Sequence, residues 1–193
     1  MLKKIETLMI KTSKYLQILL FFLLINVNTS LFAREINAFS FEFPSSTGGK
    51  INMSAYKGKT VLLFAASTEC GYRSQYKSFQ EVHEKYKDKN VVVIGISSDD
   101  LNTPESKRGS DINKFCSERF GTTYPISDVV SINLKSSDKT HPFFKWAETQ
   151  DSKFRITKSF EKFLIDKNGK LIEKYDNVHE PTGFIIKDIE KIM

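Results

Sequence analysis

The chain has 193 residues, 40% of them hydrophobic and 27% charged, which suits one domain of ordinary core size and leaves no room for a second. Its formal charge of +6 is split: residues 1–33 hold four lysines and one glutamate, which leaves +3 on residues 34–193. That remainder is scattered along amphipathic segments with no aromatic-interleaved basic run, which excludes nucleic-acid binding as a reading of the basic pI.

At the N-terminus, Lys3, Lys4, Lys11 and Lys14 flank or precede an apolar stretch from Leu16 to Val27, interrupted by Gln17 and Asn26. The stretch is shorter than the ~20 residues that cross a bilayer. Ser30-Leu31-Phe32-Ala33 then offers a small residue where a signal peptidase cuts. The layout predicts a signal peptide over 1–33 and an exported domain, periplasmic or secreted, over 34–193. An uncleaved N-terminal anchor is the alternative; the mature domain itself has no membrane role.

Ala38 to Phe43 alternates, Ser45 to Lys50 is a turn, and Ile51 to Met53 starts another strand, so a β-hairpin is expected first. Thr60 to Ala66 is a continuous apolar run fitting a strand buried on both faces. Tyr72, Tyr76, Phe79, Val82 and Tyr86 recur at helical spacing, with a cap near Ser74. Val91 to Ile96 is a second buried strand, which closes a βαβ unit. Ser110 and Asp111 can cap a second helix whose apolar face holds Ile112, Phe115, Cys116 and Phe120. Pro142 to Glu148 opens a third, with Trp146 in the core. Lys162 to Tyr175 reads as two strands joined by Asp166 to Lys170, where Asn168-Gly169 supplies positive φ angles. A last helix, begun near Pro181-Thr182, carries Ile185, Ile189 and Ile192 on one stripe. The expected fold is α/β and thioredoxin-like, a central mixed sheet flanked by helices and preceded by the hairpin.

Cys70 follows a buried strand and precedes a helix start, so its sulfur is expected near the positive end of the helix dipole, where the thiolate is favoured. A thiolate attacks the O–O bond of a peroxide in line and becomes a sulfenic acid; a neutral thiol hardly reacts. Placement alone equally fits a small buried hydrophobe, or half of a structural bridge to Cys116. Cys116 lies on the apolar stripe of its helix and is expected to be inert while that helix stays packed.

The segment from Ala65 to Tyr76, Ala-Ala-Ser-Thr-Glu-Cys-Gly-Tyr-Arg-Ser-Gln-Tyr, resembles the active-site segment of glutathione peroxidases, Asn-Val-Ala-Ser-Lys-Cys-Gly-Phe-Thr-x-Gln-Tyr. Tyr56-Lys57-Gly58-Lys59, Phe115-Cys116, Tyr124-Pro125, His141 to Trp146 and Lys162 to Asp166 match further words of that family in order. Several independent words weigh more than one motif. The resemblance implies a peroxidase acting on hydrogen peroxide or organic hydroperoxides, protective against oxidative stress, with Cys70 as the peroxidatic residue. It places Cys116 at the resolving position of non-animal members, which use a thioredoxin-like dithiol in preference to glutathione; Ser98 stands where some members carry a third cysteine. It implies no cofactor beyond an external thiol or dithiol. The short stretch between Trp146 and Phe160 lacks the insertion of tetrameric animal members, which points to a monomer.

The family's three hydrogen-bond donors around the sulfur are absent. Ungapped counting puts Pro104 at the Gln position and Lys158 and Ser159 at the Trp and Asn positions, with Asn102 or Glu105 as substitutes after small shifts. Lys158 offers a charge that would depress a nearby thiol pKa, or is a solvated loop lysine. Leu63 stands where a peroxiredoxin would carry proline, and Arg73 excludes a Cys-x-x-Cys reductase. His83, His141 and His179 are too isolated to form a metal set with one cysteine. The competing non-enzyme reading is an exported binding module with a permanent Cys70–Cys116 disulfide.

Overall fold

A computed structural model describes residues 35–134 and 138–193, together with Gln17. The chain divides into two units, Met1–Ile36 and Asn37–Met193. The expected signal peptide or anchor over 1–33 lies outside the described residues except for Gln17. Among the described residues, no helix is long and apolar enough to cross a membrane.

The elements of the second unit are β1 (Glu42–Pro44), β2 (Lys50–Asn52), β3 (Thr60–Ala66), α1 (Gln75–Tyr86), β4 (Val91–Ser97), α2 (Ser110–Phe120), α3 (Pro142–Gln150), β5 (Lys162–Ile165), β6 (Leu171–Tyr175) and α4 (Phe184–Ile192). The main sheet has the order β4-β3-β5-β6, with β3 parallel to β4, antiparallel to β5, and β5 antiparallel to β6. This is a thioredoxin-like mixed sheet preceded by the expected hairpin, β1 against β2.

Every residue of β3 and β4 is buried, and the two-residue period of a strand assigns their side chains to opposite faces. Val61, Leu63 and Ala65 join a core with Phe43, Ile51 and Phe143 from the hairpin and α3. Leu62, Phe64 and Ala66 join the other core, with Tyr76 and Phe79 of α1, Ile112 of α2 and Ile185 of α4. Cys70 and Cys116 both belong to this second core. Opposite Phe64 stands Gly95, where a Cβ would come within 3.0 Å of the Phe64 ring, so the glycine lets that ring stack on Phe79 at 3.7 Å.

The structure corrects several boundaries. Ala38–Ser40 is a 3₁₀ turn and not strand, because the Asn37 side chain accepts the Phe39 N–H and caps it. Met53 likewise leaves β2 to start a 3₁₀ turn capped by Asn52. Tyr72 is exposed and precedes α1. Neither Ser74 nor Ser110 caps a helix with its side chain: Ser74 is itself helical, and Gly109 and Gly183 stand at the N-caps of α2 and α4. Trp146 is only partly buried, against Phe41 and Phe143. In the 166–170 turn only Gly169 has positive φ, at 86°, and the Asp166 carboxylate organises it by accepting the Asn168 and Lys170 N–H groups. A register shift at Leu164/Ile165 accompanies that longer turn.

His141 fastens the hairpin to α3. Its Nδ1 accepts the Phe143 N–H at 3.3 Å as N-cap, which leaves Nε2 to donate to the Glu42 carbonyl at 2.9 Å, and the ring stacks on Phe43. Burial, against the smaller opposing pull of Glu42, lowers its pKa below the ordinary 6.5. A group with a depressed histidine pKa stabilises the fold fully above the unfolded value and loses that contribution as pH falls below it. His141→Asn keeps a capping acceptor without the proton; urea unfolding should therefore show a smaller loss of stability from pH 7.5 to 5 than in the wild type.

Candidate functional site

The end of β3 is pinned on both edges. The Phe160 N–H donates to the Ala65 carbonyl at 2.8 Å, the Ala65 N–H to the Glu161 carbonyl at 3.0 Å, and the Ser98 N–H to the Ala66 carbonyl at 3.1 Å. Beyond this point Ser67 turns the chain, its carbonyl accepting the Cys70 N–H and its hydroxyl the Glu69 N–H. The Cys70 carbonyl accepts the Arg73 N–H at 3.1 Å, and bonds of the same span from Gln75 to Tyr72 and from Tyr76 to Arg73 carry the chain into α1. Cys70 is 3% exposed. The amides of Cys70, Arg73, Gln75 and Tyr76 are all spent within this turn, so fewer free helix amides flank the sulfur than its sequence position suggests.

Two loops close on the Cys70 turn. From the first, Glu105 is 2% exposed, and its carboxyl accepts both the Thr68 N–H and the Thr68 hydroxyl at 2.6 Å. Lys107 from the same loop pairs with Glu69 at 2.6 Å and donates to the Thr68 hydroxyl at 3.2 Å. Hydrogen bonds from Lys107, then from Ser106, hold the Glu69 carboxyl below its ordinary range. Pro104, at the family's Gln position, is exposed and has no side-chain donor.

The second loop is shaped by Glu161, whose Oε2 accepts the Thr157 and Lys158 N–H groups while its Oε1 pairs with Lys174 at 2.9 Å. Phe160 is thereby held at φ 70°, a left-handed conformation rare for a bulky residue, and is fully buried against Phe64 and Tyr76. Such a backbone stores about 1–3 kcal/mol and tends to mark functional loops. Ser159 is buried and its N–H donates to the Asn102 side chain at 2.9 Å, so Asn102 joins the two loops. Lys158 is exposed, and its ammonium lies 4.0 Å from Asp176.

Cys116 is fully buried on α2, and both cysteines are free thiols. Burial pushes the Cys116 thiol up to about 12, and a hydrogen bond with Tyr76 opposes this only in part. The periodicity of α1 marked Tyr76 as core but could not show that its hydroxyl faces Cys116. Equally hidden in sequence was Lys162, which burial lowers to about 8 although the charges of Glu180 and Asp176 oppose it. Its ammonium donates to the Asp176 and His179 carbonyls, while Gln75 donates to the Asn177 carbonyl at 2.6 Å; together they hold that loop against the start of α1. Among the described residues there is no cluster of three or more histidine, cysteine or acidic side chains able to hold a metal.

Residues 38–148 match the family model described as glutathione peroxidase. The chain belongs to the glutathione peroxidase family. This glutathione peroxidase homologue is 30% identical to a glutathione peroxidase-like peroxiredoxin of Schizosaccharomyces pombe, across 76% of this chain and 92% of that one. A hydroperoxy fatty acid reductase of Synechocystis is 26% identical across 80% of this chain and 95% of its own length. Among solved structures, the apo form of Trgpx matches with a TM-score of 0.64 at 25% identity, covering 82% of this chain and 96% of that one. A thiol:disulfide interchange protein of Chlorobium tepidum, with a TM-score of 0.61 at 17% identity over 83% of this chain and 97% of its own, shares the fold.

Glu105→Ala strands the buried Thr68 N–H and leaves the Thr68 hydroxyl only the more distant Glu69 carboxyl at 3.5 Å; a buried donor left unmade costs about 1–3 kcal/mol. The variant should lose roughly 1–3 kcal/mol in chemical denaturation; unchanged stability would show that the carboxyl does not hold the turn.

Proposed function

We propose that this thiol peroxidase reduces hydrogen peroxide or an organic hydroperoxide at Cys70, that Cys116 resolves the product, and that an external thiol or dithiol completes the cycle. The observation that carries the reading is the position of Cys70, on a turn fixed at the end of the buried β3 within the family's own active-site segment. The membership of both free cysteines in one core supports the pairing.

In this cycle the Cys70 thiolate attacks the terminal peroxide oxygen. The O–O bond breaks, the sulfur becomes a sulfenic acid, and the leaving oxygen takes a proton and departs as water or an alcohol. Cys116 then attacks the Cys70 sulfur; its thiol proton leaves with the sulfenic hydroxyl as water, and a disulfide forms. An incoming dithiol, thioredoxin-like, or glutathione regenerates both thiols by exchange. Because Cys116 is fully buried and its pKa is raised, it reacts only after α2 opens locally, a fluctuation that needs less than global unfolding.

The positions that match the family's three donors hold Pro104, Lys158 and Ser159, while the buried Glu105 carboxyl holds Thr68 at the start of the Cys70 turn. Single donors aimed at a developing charge are worth about 2.7–4 kcal/mol, so the first step is expected to be slower than in members that keep them. Lys158, exposed beside Asp176, and Ser159, whose N–H is bound by Asn102, are assigned to shaping the second loop. The leader pattern supports export to a periplasmic or extracellular setting, where the enzyme would protect against oxidative stress as a monomer.

Stopped-flow mixing of the reduced chain with hydrogen peroxide should show thiol loss that vanishes in Cys70→Ser. Cys116→Ser should consume one equivalent, accumulate a trappable sulfenic acid and stop turning over. Equal peroxide consumption by Cys70→Ser rules the assignment out.

A further inference from the structure

Lys162 is 0% exposed, and nothing in the proposed cycle uses it. It starts β5, paired with Phe64 of β3 and Tyr175 of β6, and its Nζ lies 6.0 Å from the centre of the Phe79 ring of α1. Burying an ammonium is costly, and a methionine would fill the same space without that cost, so the position is explained by the hydrogen bonds that only the amine can make. The amine donates to the Asp176 and His179 carbonyls, the two ends of a turn that the His179 N–H closes onto Asp176 at 3.2 Å. Between those ends, the Asn177 carbonyl accepts Nε2 of the buried Gln75 at 2.6 Å. Gln75 is the first residue of α1, and Ser74 at the N-cap makes no side-chain bond to that helix. The Gln75 N–H donates to the Tyr72 carbonyl and the Arg73 N–H to the Cys70 carbonyl. A run of hydrogen bonds thus leads from Lys162 through the 176–179 turn to the residues that follow Cys70. Glu105 and β3 hold the entrance of the Cys70 turn; this path holds its exit.

We propose that Lys162 is a positioning residue for the peroxide step: through the 176–179 turn and Gln75 it fixes the point at which the Cys70 turn passes into α1. The inference rests on the attacking role given to Cys70 above. The burial that makes the clamp also makes it sensitive to pH. Of the charges that face Lys162, Glu180 and Asp176 on the loop and Glu161 beside it on β5 favour the ammonium. Lys158 stands 4.0 Å from Asp176, and the Tyr175 hydroxyl, opposite on β6, donates to Asp188 of α4 at 2.9 Å. Burial outweighs the three carboxylates and lowers Lys162 from the ordinary 10.5 to about 8. When the 176–179 turn lifts, the ammonium regains water and its ordinary pKa, so protonation favours the lifted state and loss of the proton favours the clamped one. The neutral amine still has two N–H groups for the two carbonyls. The clamp therefore tightens as pH rises from about 8 towards 10.5.

The test uses the full chain with Lys162→Met, with Gln75→Met and with both together. In stopped-flow mixing of the reduced, folded protein with hydrogen peroxide, each single variant should oxidise Cys70 about tenfold more slowly, since a small misplacement of a reacting group costs up to about a hundredfold. Both residues act through one path, so the double variant should be no slower than the slower single one. Native hydrogen exchange gives a second readout that needs no peroxide. In the parent chain, opening of residues 175–180, corrected for the intrinsic pH dependence of exchange, should fall about tenfold from pH 7 to 9, and in Lys162→Met it should not change. Unchanged rates in both folded single variants overturn the proposal. So do effects that multiply in the double variant, or an opening of 175–180 in the parent chain that does not vary with pH. If Lys162→Met does not fold, the Gln75→Met rate and the exchange of the parent chain carry the test. A parent chain without Cys70-dependent peroxide consumption sinks the peroxidase reading and this role with it; unslowed variants beside a normal parent sink this inference alone.

Discussion

The end of β3 fixes everything that follows. This strand is buried along its whole length, has a partner on each edge, and at Ala65 exchanges two hydrogen bonds with the 160–161 loop while Ser98 binds Ala66 from the other side. A strand held in this way cannot slip register without turning one core inside out. Cys70 is four residues further on, so its position is inherited from the most constrained part of the sheet. The same pinning holds Phe160 in a left-handed conformation, which the Glu161 carboxylate supports by gathering the N–H groups of Thr157 and Lys158.

Around that anchor the site is arranged by charge. Glu105 is buried against the Thr68 backbone and hydroxyl, Lys107 ties Glu69 to the same loop, and Asn102 bonds Ser159 across to the other. The turn that carries Cys70 is thus held at Thr68 and Glu69 by a carboxyl and an ammonium from one loop. The second cysteine obeys a different constraint: it is fully buried on α2, and burial raises its pKa.

Much of this was legible in the sequence. The apolar runs at Thr60–Ala66 and Val91–Ile96 marked the central strands because both faces are buried, and the stripe from Tyr72 to Tyr86 marked the helix between them, which starts after Tyr72. Cys70 stood out by its surrounding residues more than by its placement. Side-chain caps were where reading failed: Asn37 delays the start of β1 and Asn52 ends β2 early, while Ser74 and Ser110 sit inside helical turns, because a capping residue type signals a possibility that only backbone geometry settles. The loop around Pro104 was legible only as a choice, since Asn102 and Glu105 both stood as candidates. Glu105 is one residue from Pro104, yet one is buried on the Cys70 turn and the other is exposed, and no spacing rule distinguishes them.

The most direct measurement is the site of oxidation itself. The reduced full chain, treated with one equivalent of hydrogen peroxide in the presence of dimedone and mapped by peptide mass spectrometry, should carry the adduct on the Cys70 peptide. An adduct on Cys116 in place of Cys70, or consumption of peroxide with no modification of Cys70, would contradict the account.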